Sequence, residues 1–107
     1  MKAEIIEIVE KKGDGVSFVE LSEIEGFNGE FSFGEVDKNI FYWFGISSEA
    51  IDAINELREE ERIKLVPTSS FIYYVDGQVP TFPIAKQDRK YKDPRWRPCA
   101  INKGHKF

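Results

Sequence analysis

The side chains that could carry out catalysis in this 107-residue chain are few and isolated. Cys99 is the single cysteine and His105 the single histidine. A catalytic nucleophile and its base must be held in fixed geometry. A single histidine near the end of the chain is poorly placed to act as such a base, because chain ends are often mobile. The sequence has no spaced carboxylate pair and no phosphate-binding glycine loop. It therefore predicts a non-enzymatic protein, with no catalytic residue, no cofactor and no metal ligand.

Carboxylates dominate one face of a predicted helix that runs from Ser48 to about Arg62. Its apolar stripe contains Ile54 and Leu57 at helical spacing. The opposite face carries five carboxylates and no lysine or arginine: Glu49, Asp52, Glu56, Glu59 and Glu60. Because DNA carries about one negative charge per 1.7 Å of axis, this face predicts repulsion rather than base reading. Two interpretations stay open. The face is either an ordinary solvated helix surface or a surface that binds a basic protein partner. In the second case it could occupy the surface with which that partner binds nucleic acid.

Cations dominate the later part of the chain. Residues 1–66 contain seven Lys and Arg against sixteen Asp and Glu, whereas residues 67–107 contain eight against three. Basic and aromatic side chains together suit phosphate contact and base stacking. A nucleic-acid-binding alternative therefore rests on Lys86, Arg89, Lys90, Lys92, Arg95, Trp96 and Arg97. The segment 86–107 either wraps back over the acidic body with Trp96 as its anchor, which we favour, or trails from it as a mobile end.

Spacing and capping signals predict the helices that position these side chains. From Lys2 to Lys12, apolar residues recur at i, i+3 and i+4, and Gly13 follows as a helix end. Ser17 and Glu20 have the spacing of a capping box, which predicts a short second helix from Phe18 to about Glu25. The acidic helix described above is the third.

Turn signals and alternation predict the strands. Asn28-Gly29 favours a two-residue hairpin turn inside an inserted segment, residues 27–39. The aromatic run Ile40–Phe44 predicts a central strand, and we assign its side chains to core packing rather than to a ligand platform. Ile63–Val66 and Phe71–Val75 are separated by a short turn and are predicted to pair antiparallel.

The order of these elements, with the stretch Ser47–Ile63, resembles the winged helix-turn-helix superfamily. The resemblance covers Met1 to Val75. It implies an α+β fold that is winged-helix-like, with three helices, a small antiparallel sheet, a hairpin insertion and a basic C-terminal extension. We place the winged-helix-like domain at residues 1–85 and the basic C-terminal segment at residues 86–107. In that family the third helix usually enters the major groove, which the acidic face of this chain opposes.

A narrower resemblance is to small accessory proteins encoded by phages and pathogenicity islands of Gram-positive bacteria. It rests on Asn39–Trp43, Ser48–Leu65, Asp76-Gly77, Pro83–Lys86 and Pro94–Pro98. It implies a mobile genetic element as the source and a regulator or adaptor that acts through protein–protein interaction. The alternative is a DNA-binding transcriptional regulator whose C-terminal segment and wing contact phosphates.

Targeting signals are missing from the sequence. No apolar run approaches the roughly 20 residues that cross a bilayer. Met1–Glu4 quickly becomes acidic and does not begin the apolar stretch of a signal peptide. We therefore expect a cytoplasmic protein with no membrane contact, and a homodimer stays open. The single cysteine excludes an internal disulfide.

Overall fold

The first helix forms where its apolar spacing predicts it. In the computed structural model, which describes residues 1–107, α1 spans Lys2–Lys12 and buries Ile5 and Val9. Gly13 ends the helix with a positive φ of 85°, a backbone angle that glycine adopts without steric cost. The prediction for this segment is confirmed.

The second helix starts at the predicted capping box but ends early. α2 spans Phe18–Leu21, with the Ser17 hydroxyl accepting from the Glu20 N–H at 3.2 Å and the Glu20 carboxylate accepting from the Ser17 N–H at 3.4 Å. The predicted extension to Glu25 is wrong. One cause is local: the Ser22 hydroxyl donates to the Val19 carbonyl at 2.5 Å, a side-chain bond that competes with helix continuation.

A hairpin follows, and its turn lies elsewhere than predicted. β1 (Asn28–Glu35) and β2 (Ile40–Ile46) pair antiparallel and are joined by a 3-10 turn, Val36–Lys38, with Asn39 at φ 58°. Asn28-Gly29 is therefore not a turn. Gly29 lies close to the start of the next helix, because a Cβ there would come within 2.6 Å of the Ser47 Cα. The glycine allows this close approach of two backbones.

The aromatic strand β2 is central in a three-stranded sheet. The strand order is β1–β2–β4, where β4 (Arg95–Trp96) pairs parallel with β2. Trp43 of β2 is buried between two rings, with centroid distances of 5.8 Å to Phe18 and 5.2 Å to Tyr73. The central-strand prediction is confirmed, and Trp43 packs in the core as expected.

The acidic helix, α3, spans Ser48–Glu59. Its cap is Ser47, whose hydroxyl accepts from the Ala50 N–H at 3.1 Å. The helix ends before the predicted Arg62 because Glu61 adopts a left-handed φ of 59° and the Arg62 N–H returns to the Leu57 carbonyl at 2.9 Å. This is a C-terminal cap without the usual glycine. β3, Ile63–Pro67, follows as predicted.

The predicted strand Phe71–Val75 is wrong, because α4 (Phe71–Asp76) is a helix. The position beside β3 that was predicted for this strand is occupied by β5, Cys99–Lys103, which pairs antiparallel along all of β3. The helix also turns the buried Tyr73 inward, where its hydroxyl donates to the Cys99 carbonyl at 2.6 Å and accepts from the Phe18 N–H at 3.2 Å. The residues of this segment favour a strand, but β5 from later in the chain takes the pairing position beside β3, and the segment forms a helix instead.

The C-terminal segment packs within the core of the fold. Trp96, Cys99 and Ile101 belong to the same buried cluster as α1 and α3. Val16, between α1 and α2, exchanges two backbone hydrogen bonds with Ile101, at 3.1 and 2.8 Å. The result is an α+β fold, as predicted, but the predicted three helices and antiparallel sheet are wrong. The fold has four α-helices, because residues 71–76 are helical, and two small sheets, one of which contains the parallel pair β2–β4. None of its helices has the length and apolarity that a bilayer crossing requires.

Candidate functional site

The acidic face of α3 projects away from the core. We use this name for Glu49, Asp52, Glu56, Glu59 and Glu60, all of which are exposed. The opposite side of α3 is anchored by Ala50, Ala53, Ile54 and Leu57, which are buried. Because this apolar stripe is completely covered, the orientation of the helix, and with it the outward direction of the five carboxylates, is fixed by packing.

One cation contacts the acidic face. The Lys2 ammonium donates to Glu60 at 2.7 Å and lies 3.8 Å from Glu56. The hydrogen bond to Glu60 raises the pKa of Lys2. Lys2 comes from α1, 58 residues away in the chain, so no spacing rule in the sequence indicates this contact. The other three carboxylates, Glu49, Asp52 and Glu59, have no cation within 4 Å.

A groove of about 400 Å³ separates the acidic face from the start of α1. Met1, Lys2 and Ala3 form one wall, and Glu49, Asp52 and Glu56 are among the residues of the other. A cationic side chain that enters this groove would meet several carboxylates and a short apolar wall. The arrangement can hold a basic protein segment by charge and does not present an acid–base pair.

The basic residues near the C-terminus lie in different environments. Lys86, Arg89, Lys90 and Lys92 are exposed, and Arg95 and Arg97 are half-buried. None of these six side chains forms an ion pair with a carboxylate of the protein. Trp96 is different, because only 1% of it is exposed. Its ring packs edge-on against Tyr73, with a centroid distance of 5.3 Å, so base stacking by Trp96 is excluded in this structure.

Two arginines cover a buried tyrosine. Arg89 and Arg95 lie 4.2 and 4.7 Å from the ring centroid of Tyr91, which is itself buried. These cation–π contacts hold both guanidinium groups near one surface. They also remove Tyr91 as a stacking platform. The aromatic half of the basic–aromatic pattern therefore serves packing, and phosphate contact is what the exposed cations can still provide.

The side chains with catalytic chemistry are not assembled into a site. Cys99 is 2% exposed, and burial raises the pKa of its thiol to about 11. Ser17 accepts from the α2 backbone and donates to Asp76 at 2.5 Å, as a fully buried capping residue. No group of three or more His, Cys, Asp or Glu is arranged to hold a metal ion.

The largest concavity has an aromatic wall and carries no ionisable group. It measures about 510 Å³ and lies between β2 and residues 77–82. Phe44 and Phe82 stack beside it with a centroid distance of 4.7 Å. Its lining is without Asp, Glu, His, Cys, Lys or Arg, so it contains no residue suited to acid–base catalysis.

The buried thiol and the buried Tyr73 hydroxyl predict loss of stability at alkaline pH. Burial raises both pKa values, that of Cys99 from 9.0 to about 11. A raised folded-state pKa stabilises the fold fully below the unfolded value and loses that contribution as pH rises through the folded value. We therefore expect the free energy of unfolding, measured with urea, to be flat to about pH 9 and to fall between pH 9 and 11.

The control for this pH dependence is Cys99→Ala, which removes one of the two titrating groups. The difference between wild type and Cys99→Ala should shrink across this window by an amount on the order of 2 kcal/mol. An unchanged difference from pH 8 to 11 would contradict the role of Cys99.

Comparison with family models, with curated proteins and with solved structures gave no significant match. The geometry of the acidic face and of the basic segment is therefore what supports a function.

Proposed function

We propose that this chain is a non-enzymatic regulator or adaptor that binds a basic protein through the acidic face of α3. The observation that carries the proposal is the set of Glu49, Asp52 and Glu59: three exposed carboxylates on a helix anchored by packing, with no cation of the protein within 4 Å of them. Single exposed ion pairs contribute little. Several like charges on one face produce a field that steers and selects a partner of opposite sign.

A winged-helix-like assignment is part of this proposal. Its support is the order of α1, α2 and α3, followed by the antiparallel pair β3–β5. In this assignment β3 and β5 are the wing strands and residues 68–98 are a long wing connection. β1 and β2 form the hairpin inserted between the second and third helices. The α3 position then corresponds to the helix that reads DNA in winged-helix proteins, and its charge has the opposite sign to a DNA-binding surface.

The partner is inferred from this sign. A protein surface rich in Lys and Arg, including one that otherwise binds nucleic acid, is the chemistry that complements five carboxylates. The resemblance to accessory proteins of phages and pathogenicity islands favours a mobile genetic element as the source of such a regulator. There, the basic partner would be a component of transcription, replication or packaging.

Charge reversal on the acidic face tests the proposal. Asp52→Lys with Glu59→Lys changes two carboxylates that contact no cation, so the Lys2 ion pairs remain. Because close charge pairs across interfaces contribute about 1.5 kcal/mol or more, we expect capture of the basic partner from cells that encode the chain to fall at least about tenfold. The measurement is affinity capture with quantitative mass spectrometry.

The matched control is Glu10→Lys with Glu30→Lys. Both are exposed carboxylates outside α3, without an ion pair, and the change in net charge is the same. This control should capture the partner as the wild type does. Equal capture by the α3 reversal and the wild type would refute the proposal, as would equal losses in both double variants.

The DNA-binding regulator is the second candidate. It is favoured by one observation: the six cations from Lys86 to Arg97 that pair with no carboxylate of the protein. Phosphate-driven binding weakens steeply with salt, with a log–log slope of about −0.9 per phosphate contacted. Fluorescence anisotropy with duplex DNA at several salt concentrations, on wild type and Arg95→Glu, separates the two candidates. A steep slope that Arg95→Glu makes shallower by about one unit or more would favour the DNA-binding regulator.

A further inference from the structure

A polar cavity lies between the turn after β3 and the basic segment. It measures about 480 Å³, within the size range of small-molecule sites. Hydrogen-bond donors line it from two sides: Thr68 and Ser70 from the turn, and Lys86 and Arg97 from the basic segment. It is separate from the acidic face, whose residues are not among its walls.

Backbone hydrogen bonds hold the two sides of this cavity together. The Thr68 N–H donates to the Pro98 carbonyl at 2.9 Å, and the Ala85 N–H donates to the Trp96 carbonyl at 2.8 Å. Ala85 and Pro98 are themselves buried wall residues. These bonds connect the cavity walls to the buried Trp96, so the backbone that carries the polar side chains of the cavity is held in place by the core.

The polar side chains of the cavity do not donate to the protein. The hydroxyls of Thr68 and Ser70, the Lys86 ammonium and the half-buried Arg97 guanidinium make no hydrogen bond with another protein group. The one carboxylate, Asp88, accepts from Lys38 at 2.9 Å, and this bond lowers the pKa of Asp88. Lys38 thus neutralises the Asp88 charge from outside the cavity, and Arg97 lowers the pKa of Asp88 further by its positive charge. Lys86 and Arg97 themselves form no ion pair with a carboxylate.

We propose that this cavity binds a small phosphate monoester, with Arg97 and Lys86 on the phosphoryl oxygens and the two hydroxyls as further donors. Four donors without a protein acceptor suit a ligand that accepts several hydrogen bonds, and two cations match a group of charge close to −2. The planar guanidinium suits two oxygens of one phosphoryl group. A terminal phosphoryl group can enter a cavity, whereas a diester backbone needs an open track of cations.

The proposal goes beyond partner binding by α3, since it uses none of the same residues. The test is an NMR titration of the full chain with inorganic phosphate and with glycerol 3-phosphate, at constant ionic strength. We expect saturable amide shift changes centred on residues 67–70, 84–88 and 97–98. Shift changes with glycerol 3-phosphate show whether the cavity also has room for the organic group esterified to the phosphate.

Two variants and one matched control make the titration specific. Since a hydrogen bond to a charged group contributes about 1.5–3 kcal/mol, Arg97→Gln should weaken phosphate binding at least about tenfold. Lys86→Gln carries the same expectation, and because Lys86 is exposed and unpaired it keeps the test decisive if Arg97→Gln does not fold. Arg89→Gln removes an arginine that lies on Tyr91 and outside the cavity, and it should change the affinity less than twofold.

The pH dependence distinguishes a phosphoryl site from a general anion site. The second pKa of a phosphate monoester is about 6, so affinity should rise several-fold from pH 5.5 to 7.5. Equal affinity for acetate, or an equal loss in Arg89→Gln and Arg97→Gln, would overturn the proposal. So would duplex DNA shifting the cavity amides when phosphate does not. Lys86→Gln should leave partner capture by the acidic face unchanged, so the two proposals fail separately.

Discussion

Residues 1–85 expressed alone are expected not to form a cooperatively folded domain. The segment that this truncation deletes, residues 86–107, contributes the whole of β5 and the buried residues Trp96, Cys99 and Ile101. Without it, β3 loses its only strand partner, and the Tyr73 hydroxyl loses its acceptor at Cys99. An unsatisfied buried polar group costs about 1–3 kcal/mol and the loss of a large core side chain about 3–5 kcal/mol, so these losses together are comparable to a typical domain stability of about 5–15 kcal/mol.

Circular dichroism and proton–nitrogen correlation spectra measure this outcome directly. The truncated chain should show a noncooperative urea transition and narrow amide dispersion. A chain of residues 1–104 is the control, because it keeps β5 and removes the Lys106–Glu61 ion pair, two backbone hydrogen bonds and the half-buried Phe107 with its Lys103 contact. If residues 1–85 unfold cooperatively near the wild-type midpoint, the C-terminal segment is not part of the core.

Trp96→Ala is the single substitution expected to destabilise the fold most. Trp96 is among the largest fully buried side chains and contacts the ring of Tyr73. Replacing a buried Trp with Ala removes its transfer free energy and leaves a cavity, at a cost of about 3–5 kcal/mol. The free energy of urea unfolding measures the loss, with circular dichroism as the probe.

Trp96→Phe is the matched variant, and its expected loss is much smaller. The indole N–H of Trp96 is buried without a hydrogen-bond acceptor. Removing such an unsatisfied donor returns about 1–3 kcal/mol, which offsets part of the lost apolar area. A loss in Trp96→Ala of less than about 1 kcal/mol would contradict the core position of the ring. Any loss of nucleic-acid binding in Trp96→Ala would need to be corrected for the unfolded fraction.

Local signals predicted α1, the start of α2, and α3 with its acidic face. Each of these rests on residues within one or two helical turns: a capping hydroxyl, an apolar stripe, a terminal glycine. The acidic face could therefore be placed on one side of a helix before any tertiary contact was known. Lys2 could not be assigned to it, because its contact with Glu60 requires the packing of α1 beside α3.

Two wrong predictions share one physical cause. Asn28-Gly29 has the composition of a turn, and Phe71–Val75 has the composition of a strand, yet neither adopts the predicted structure. Gly29 instead permits the approach of the Ser47 backbone, and the strand position beside β3 is occupied by β5 from 32 or more residues later in the chain. Pairing between distant segments overrides local preference, since buried backbone groups must find partners wherever the fold supplies them.

The chain's own pattern of residues was thus sufficient for the positions of α1 and α3, for the start of α2, for the α+β class and for the sign of charge on α3. Those properties follow from neighbours within a few residues, which the order of amino acids specifies directly. Three-dimensional packing was needed to bury Trp96, to make α4 a helix, and to bring Lys86 and Arg97 to the cavity that Thr68 and Ser70 line. Each of these depends on segments far apart in the chain, whose free energy of association no local window contains.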